Sequence, residues 1–211
     1  LEVLVEKPMA TDVQQARRVI EQAQRTTRRA FVGCVLRFSE SLQTFRQWLP
    51  RVGRLHAVRV DCHSYLPEWR PRRPYRDSYS ARAGEGGVLR DLIHEIDAAG
   101  WLFGWPSRVS GMIRNLGRLG IASEELAQLT WEASGGTVVS VALDYVSRPS
   151  CRRMTAYGEQ GTIDWDGEAQ TVTLTAADSS VRRATSAQTR EELFRAQARA
   201  FIDACQGTID A

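Results

Sequence analysis

The chain has 211 residues, of which 43% are hydrophobic and 25% charged, with a formal net charge of +3. This length and composition predict a soluble globular protein, and no apolar run approaches the roughly 20 residues that cross a bilayer. The small net charge and the lack of a reader motif argue against nucleic-acid binding. The four cysteines lie far apart, which indicates reduced thiols and a cytoplasmic protein rather than a zinc site or a disulfide scaffold.

The N-terminal segment LEVLVEKPMATDVQQARRVIEQAQ, with RRAFVGCVL after it, predicts a βαβ unit. An apolar strand ends in the polar triplet Glu6, Lys7 and Pro8. Thr11 and Gln14 have the form of a capping box, and helical periodicity follows before a second buried strand. This order implies a parallel sheet, and ligands bind at the carboxyl ends of such strands. The polar triplet lies at one of these ends.

Lys7 is unusual in this composition. Of the 28 basic residues, 27 are arginine and Lys7 is the single lysine. A sequence that uses arginine for ordinary surface charge keeps a lysine where a compact ammonium must donate to one oxygen, or where the pKa must be able to fall. Lys7 is therefore a candidate catalytic residue, and chance retention is the alternative.

The rest of the chain predicts an α+β domain. SESLQTFRQWLP has the pattern of an amphipathic helix, and LHAVRVDCHSY alternates like a half-buried strand. A long polar loop and a helix over residues 87–103 follow. Alternating segments separated by Gly, Ser and Pro then predict antiparallel strands, and TREELFRAQARAFIDACQG predicts a C-terminal helix. We expect a large open, mostly antiparallel sheet with helices packed on one face, preceded by the last βαβ portion of a Rossmann domain.

The helix over residues 87–103 carries a polar pair opposite an apolar arc. The arc consists of Leu89, Leu92, Ile93, Ile96, Gly100 and Phe103. Asp91 and His94 fall on the other side of the helical projection. They are either solvated residues joined by a weak turn-to-turn contact, or a carboxylate beside an imidazole, the side chain suited to proton transfer near neutral pH.

The loop SYLPEWRPRRPYRDSYS is the candidate for substrate recognition. Its aromatic and arginine side chains are Trp69, Arg70, Arg72, Arg73, Tyr75, Arg76 and Tyr79. Aromatic faces stack on a pyranose ring, and guanidinium groups bind a carboxylate or a phosphate. The alternative is a solvated basic loop. Asp61 and His63 share a strand face but lack a third ligand at useful spacing, so no metal site is predicted.

Three segments resemble, in order and spacing, successive landmarks of the glucose-fructose oxidoreductase, inositol dehydrogenase and MocA family (Gfo/Idh/MocA). They are VLVEKPMATDVQQARRVI, FVGCVLRFSESLQTFRQWL and GGVLRDLIHEIDAAGWLFG. The resemblance implies that residues 1–35 are the C-terminal remnant of a dinucleotide-binding Rossmann domain. Residues 36–211 would be a substrate-binding and oligomerisation α+β domain. It also implies a fragment, with the Gly-rich turn that binds NAD or NADP upstream of Leu1.

The resemblance further implies an NAD(P)-dependent oxidoreductase that transfers a hydride between the cofactor and a secondary hydroxyl of a sugar, polyol or sugar derivative. His94 would act on the reacting hydroxyl, Lys7 would donate to the same oxygen, and Asp91 would orient or tune His94. The expected cofactor contacts are Glu6, Lys7, Pro8 and Arg37. The expected substrate contacts are Trp69, Arg70, Tyr75, Arg76, Tyr79 and His94.

The resemblance carries one further expectation and one departure from the family pattern. The peptide bond before Pro8 is expected to be cis. In the family the aspartate stands four residues before the histidine, whereas Arg90 occupies that position here and Asp91 stands three before.

The competing hypothesis is a non-enzymatic module that binds carbohydrate or assembles through the open sheet, with Lys7 and His94 incidental. Homo-oligomerisation through the sheet is expected of the enzyme as well. The other expected partner is a small sugar or polyol. Binding to nucleic acid or to a membrane is not expected.

Overall fold

The computed structural model describes residues 2–26 and 28–207. Contacts divide the chain into two units. The first joins the segment up to Ser39 with the segment from Gln188 onward, and the second is Glu40–Ala187. This division places the C-terminal helix with the N-terminal segment, whereas the sequence analysis assigned it to a domain over residues 36–211. The predicted domains stay a prediction.

The elements are as follows in chain order. The helices are α1 (Val13–Arg25), α2 (Glu40–Trp48), α3 (Val88–Asp91), α4 (Ile93–Phe103) and α5 (Arg190–Cys205). The strands are β1 (Val3–Val5), β2 (Ala30–Val32), β3 (Leu55–His63), β4 (Ser110–Arg114), β5 (Leu126–Glu132), β6 (Val138–Asp144), β7 (Cys151–Gly158), β8 (Gly161–Asp166), β9 (Thr171–Ala176) and β10 (Val181–Thr185). Within the described ranges, no helix is long and apolar enough to cross a membrane.

The first unit contains the predicted βαβ arrangement. β1 and β2 pair in parallel, with Val5 opposite Val32. The start of α1 differs from the predicted capping box, because the N-cap is Asp12 and not Thr11. The Asp12 carboxylate accepts a hydrogen bond from the Gln15 backbone amide at 2.8 Å. A carboxylate is a stronger acceptor than a hydroxyl for the free amides of a first turn.

Helix α5 also belongs to the first unit. Its N-terminus is a capping box made by Thr189 and Glu192. Phe201 packs edge-on against Phe31 of β2, with ring centroids 5.1 Å apart. The C-terminal helix therefore lies against the strand that ends beside the polar triplet.

The second unit is built on an eight-stranded sheet, which lies wholly within the described residues. The strand order is β10-β9-β8-β7-β3-β6-β5-β4. β3 is parallel to β6 and antiparallel to β7. The remaining neighbours are antiparallel. The predicted large, mostly antiparallel open sheet is confirmed, and β3 lies at its centre.

Helices cover one face of this sheet. Alternate strand residues point to that face and are buried: Val58, Val60, Val139, Val141, Leu143, Met154, Ala156, Ile163, Trp165 and Val172. Helix α2 contacts β8 and β9, and α4 contacts β3 and β6. The Trp165 indole donates to the Ser41 hydroxyl of α2 at 2.9 Å. The opposite face, hereafter the open face, carries Arg59, Ala142, Arg153, Thr155 and Tyr157, none of them buried.

The predicted helix over residues 87–103 is two helices. The chain leaves helical geometry at Leu92, between α3 and α4, with φ −98° and ψ 29°. The buried face also differs from the predicted apolar arc, because it includes the carboxylates of Asp91 and Glu95. Each of these carboxylates has a polar partner on the sheet side. A projection of hydropathy does not reveal such partners, which offset the cost of burying a charge.

Candidate active site

The Glu-Lys-Pro turn lies at the carboxyl end of β1, as predicted. The peptide bond between Lys7 and Pro8 is cis, as the resemblance implied. Glu6 is exposed, whereas Lys7 and Pro8 are half-buried. Arg37 is half-buried in a 3₁₀ turn that follows β2. The four expected cofactor contacts therefore all belong to the first unit.

Gln197 of α5 lies beside this turn and was not predicted from the sequence. It is 4% exposed. A Cβ built on Gly33 would lie 3.4 Å from both Gln197 Nε2 and Glu6 Oε1. Gln197 Oε1 is buried and, among residues 2–26 and 28–207, has no hydrogen-bond partner. These polar atoms border the carboxyl ends of two parallel strands, where ligands bind in sheets of this kind.

Asp91 and His94 belong to the second unit. Asp91 is 5% exposed, and its Oδ2 atom accepts a hydrogen bond from the Tyr145 hydroxyl. His94 is half-buried, and its Nδ1 atom is shielded from solvent. The solvated interpretation is therefore wrong for Asp91. The described hydrogen bond of the carboxylate goes to a tyrosine, and its pairing with His94 stays a prediction.

Tyr79 brings the predicted substrate loop to the same carboxylate. Burial, followed by hydrogen bonding to Asp91 and its negative charge, raises the pKa of Tyr79 to about 12. Burial and the charge of Asp91 also raise the pKa of Tyr145. Both phenols are neutral donors at physiological pH. Tyr79 is 39% exposed, so it connects a buried carboxylate to the surface.

Trp69 of the same loop packs beside this cluster. Its ring stands edge-on to Tyr145, with centroids 5.4 Å apart and an interplanar angle of 89°. Its indole N–H donates to the Ser64 hydroxyl at 2.7 Å. Arg70 is exposed, and its charge lowers the pKa of nearby Tyr79, against the larger effect of burial. The structure thus brings Trp69, Arg70 and Tyr79 together around Asp91 and Tyr145.

Tyr75 and Arg76 lie elsewhere in the loop, against the connection between β4 and β5. The Tyr75 hydroxyl and Arg76 Nε donate to the Leu119 carbonyl at 2.9 and 3.1 Å. The fully buried Glu125 holds this connection in place, because it accepts from the amides of Leu116, Arg118 and Leu119. Tyr75 and Arg76 therefore anchor the loop, and their predicted contact with substrate stays a prediction.

The Gly-Gly sequence before α3 allows a close approach. A Cβ at Gly86 would lie 2.2 Å from the Tyr79 carbonyl oxygen and 2.5 Å from Ser80 Cα. The Ser80 carbonyl accepts from the Gly87 amide at 3.2 Å. Tyr79 therefore reaches Asp91 because no side chain separates its backbone from the start of α3.

A second buried carboxylate lies one residue after His94. Glu95 is 1% exposed, and its Oε1 atom is 2.7 Å from Arg152 Nε of β7. Cys62 of β3 lies opposite Arg152 in the sheet register. Burial and the nearby Glu95 charge raise the pKa of the Cys62 thiol. The thiol is therefore neutral, and the ion pair is the charged part of this cluster.

Tyr145, Glu95 and Arg152 were not selected from the sequence, although a pattern was available for two of them. Tyr145 continues the alternation of inward residues in β6, and Arg152 has the inward parity of β7. An arginine at an inward position requires a polar partner. Among the described residues, no three His, Cys, Asp or Glu side chains are grouped like a metal site.

The family model for the GFO/IDH/MocA C-terminal domain matches residues 43–164. This match covers more than half of the chain. The chain belongs to the GFO/IDH/MocA family. The matched GFO/IDH/MocA domain contains the substrate loop, α3 and α4. The comparison with curated protein sequences finds no match.

Solved structures share the fold. An oxidoreductase from Agrobacterium radiobacter, solved with NAD+, L-tartaric acid and magnesium, is 17% identical with a TM-score of 0.80, over 98% of this chain and 64% of that chain. UDP-N-acetylglucosamine 3-dehydrogenase from Acidithiobacillus ferrooxidans is 18% identical with a TM-score of 0.78, over 100% of this chain and 64% of that chain. An inositol dehydrogenase homolog from Azotobacter vinelandii, solved with NAD+, is 15% identical with a TM-score of 0.82, over 99% of this chain and 62% of that chain. The chain spans less than two thirds of each of these proteins, and their likeness confirms the predicted fold class.

Proposed function

We propose that the complete protein is an NAD(P)-dependent oxidoreductase that transfers a hydride between a nicotinamide cofactor and a secondary hydroxyl of a sugar, polyol or sugar derivative. The observation that carries this proposal is His94, a half-buried imidazole with a shielded Nδ1 atom inside the GFO/IDH/MocA domain. Two of the similar structures were solved with NAD+, and the third is named a 3-dehydrogenase of a nucleotide sugar.

In this proposal, the first unit holds the nicotinamide end of the cofactor, which accepts or supplies the hydride. Glu6, Lys7, Arg37 and Gln197 are the residues of this chain that would contact it. Glu6 and Gln197 already border the carboxyl ends of β1 and β2. A buried amide oxygen at that position is an acceptor for a polar ligand group.

Oxidation of a secondary hydroxyl also requires that its proton leave. His94 takes this proton as a general base and returns it in the reverse reaction, since an imidazole titrates near neutral pH. Lys7 donates to the same oxygen. Its positive charge stabilises the alkoxide character that develops in the transition state. Asp91 supplies a negative charge one turn before His94.

The substrate loop has two proposed roles. Trp69, Arg70 and Tyr79 contact the substrate from around Asp91, and the exposed fraction of Tyr79 lets a sugar ring pack on it. Tyr75 and Arg76 contact the substrate from the part of the loop that is hydrogen-bonded to the Leu119 carbonyl. This arrangement supports a polar substrate whose hydroxyl groups are read by fixed donors.

The test uses the complete protein. Cofactor reduction is screened across sugars, polyols and sugar acids, and His94→Ala is then compared with His56→Ala, which alters an exposed residue of β3. We expect His94→Ala to lower turnover by about a hundredfold or more while binding of the oxidised cofactor changes little. His56→Ala should keep wild-type turnover. Full activity of His94→Ala would show that this mechanism is wrong.

We also propose that the protein forms homo-oligomers through the open face. The edge strand β4 is exposed along its whole length, including Met112 and Ile113. An uncovered face and edge of this size favour association. The competing assembly-module hypothesis predicts the same oligomer but no dependence of any activity on His94.

A further inference from the structure

The ion pair between Glu95 and Arg152 lies directly under the helix turn that carries His94. Consecutive side chains on a helix are about 100° apart. Glu95 therefore points into the sheet while His94 reaches a half-buried position. Because the two residues share one backbone, the rotation of α4 that sets the Glu95 contact also sets the place of the imidazole.

Arg152 is a fixed partner for this contact. Its backbone is held in β7 opposite Cys62, and its carbonyl accepts from the Gly167 amide at 2.8 Å. The stem of its side chain packs against Gly167, where a Cβ would lie 2.7 Å from Arg152 Cγ. The guanidinium is therefore placed by the sheet, and Glu95 must come to it.

The start of α4 lacks a side-chain cap. The residue before it is Leu92, which provides no side-chain cap. The next buried residues are Asp97, which is 7% exposed, and the fully buried Ala98 and Ala99. Small methyl groups and a missing cap allow a helix to rotate or slide at little cost, whereas an ion pair depends on the position of two specific groups.

We propose that the Glu95–Arg152 ion pair is a positioning device that sets the imidazole of His94. This inference rests on the proposed function, in which His94 moves the hydroxyl proton. A displacement of about 1 Å at a reacting group can cost about a hundredfold in rate. Glu95 and Arg152 are thus positioning residues, and they act only through His94.

A purely stabilising role makes a different prediction. Replacing both members of a buried ion pair by apolar residues of similar volume is often neutral or stabilising, whereas removing one member leaves an uncompensated charge. The double variant Glu95→Leu with Arg152→Met therefore separates the two roles. Arg195→Met is the control, because it breaks the exposed pair with Glu191 on α5, which is not part of the open face.

The experiment measures the thermal midpoint, kcat, the cofactor KM and the NMR resonances of the His94 ring in the complete protein. The His94 resonances are assigned by their absence in His94→Ala. For the double variant we expect a wild-type midpoint, a kcat at least about tenfold lower, an unchanged cofactor KM and displaced ring resonances. Arg195→Met should match the wild type in all four. A double variant with wild-type kcat and wild-type ring resonances would overturn the proposal.

A single variant covers the case in which the double variant does not fold. Glu95→Gln keeps the side-chain volume, and a lowered kcat with displaced ring resonances supports the proposal. Wild-type values of both overturn it. If His94→Ala retains full turnover, the proposed function fails instead, and the ring resonances still report whether the ion pair sets the imidazole.

Discussion

The Tyr145 hydroxyl donates a hydrogen bond to the buried carboxylate of Asp91. Tyr145 directly follows β6 and Asp91 is the last residue of α3, so the bond ties the helix to the sheet. Tyr79 reaches the same carboxylate from the substrate loop. Asp91 therefore joins three separate segments, and its main described role is to hold the loop beside α3.

Removal of the Tyr145 hydroxyl should destabilise the protein. Tyr145→Phe leaves the ring in place but deprives a buried carboxylate of a donor, which costs about 1–3 kcal/mol in the free energy of unfolding. Urea denaturation measures this loss. Tyr157→Phe, on the open face, is the control and should lie within about 0.5 kcal/mol of the wild type. Equal stabilities of the two variants would show that the bond to Asp91 contributes nothing.

Alkaline pH should weaken the cluster through Tyr79. Its pKa in the folded protein, about 12, lies above the ordinary value of 10.0, so the folded state holds the phenolic proton more tightly than the unfolded chain. The stability from this difference is present below pH 10 and is lost as the pH rises to about 12. Urea denaturation from pH 9 to 12 should therefore show a shallower decline for Tyr79→Phe than for the wild type. Parallel curves would show that burial and the contact with Asp91 do not raise the pKa of Tyr79.

Lys7 should not tolerate arginine. If its ammonium donates to the reacting oxygen, Lys7→Arg in the complete protein should lose nearly as much kcat as Lys7→Met, because a planar guanidinium cannot occupy the same point. Steady-state kinetics on a substrate found by the screen measures both. Arg18→Lys, on the exposed surface of α1, controls for charge exchange and should be neutral. Substantial activity of Lys7→Arg would show that charge alone suffices.

The open face should mediate self-association. Ala142 lies in β6 on that face, and Ala142→Arg would place a cation in the middle of the contact area. Light scattering should show a smaller species for this variant than for the wild type. Ala169→Arg, in the exposed turn after β8, should leave the mass unchanged. A wild-type protein that is monomeric at all usable concentrations would rule out this assembly.

Local patterns in the sequence predicted most of the helices and strands. Alternation in LHAVRVDCHSY predicted the half-buried strand β3, and the polar triplet was predicted at the end of β1. The polar pairings were not predicted, because Tyr145 stands 54 residues after Asp91 and no local period connects them. Asp91 and Glu95 face inward because each has a polar partner from the sheet region. These partners are Tyr145 and Arg152.

The parallel pairing of β3 with β6 has a consequence for how the protein reaches its native state. The chain between these strands, residues 64–137, contains the substrate loop, α3, α4 and two further strands. Closing so long a segment is entropically costly and slows the formation of the central strand pair. The centre of the sheet should therefore fold at the same stage as the segment that carries His94. Substitutions in that segment should slow refolding, even those that leave the final stability unchanged.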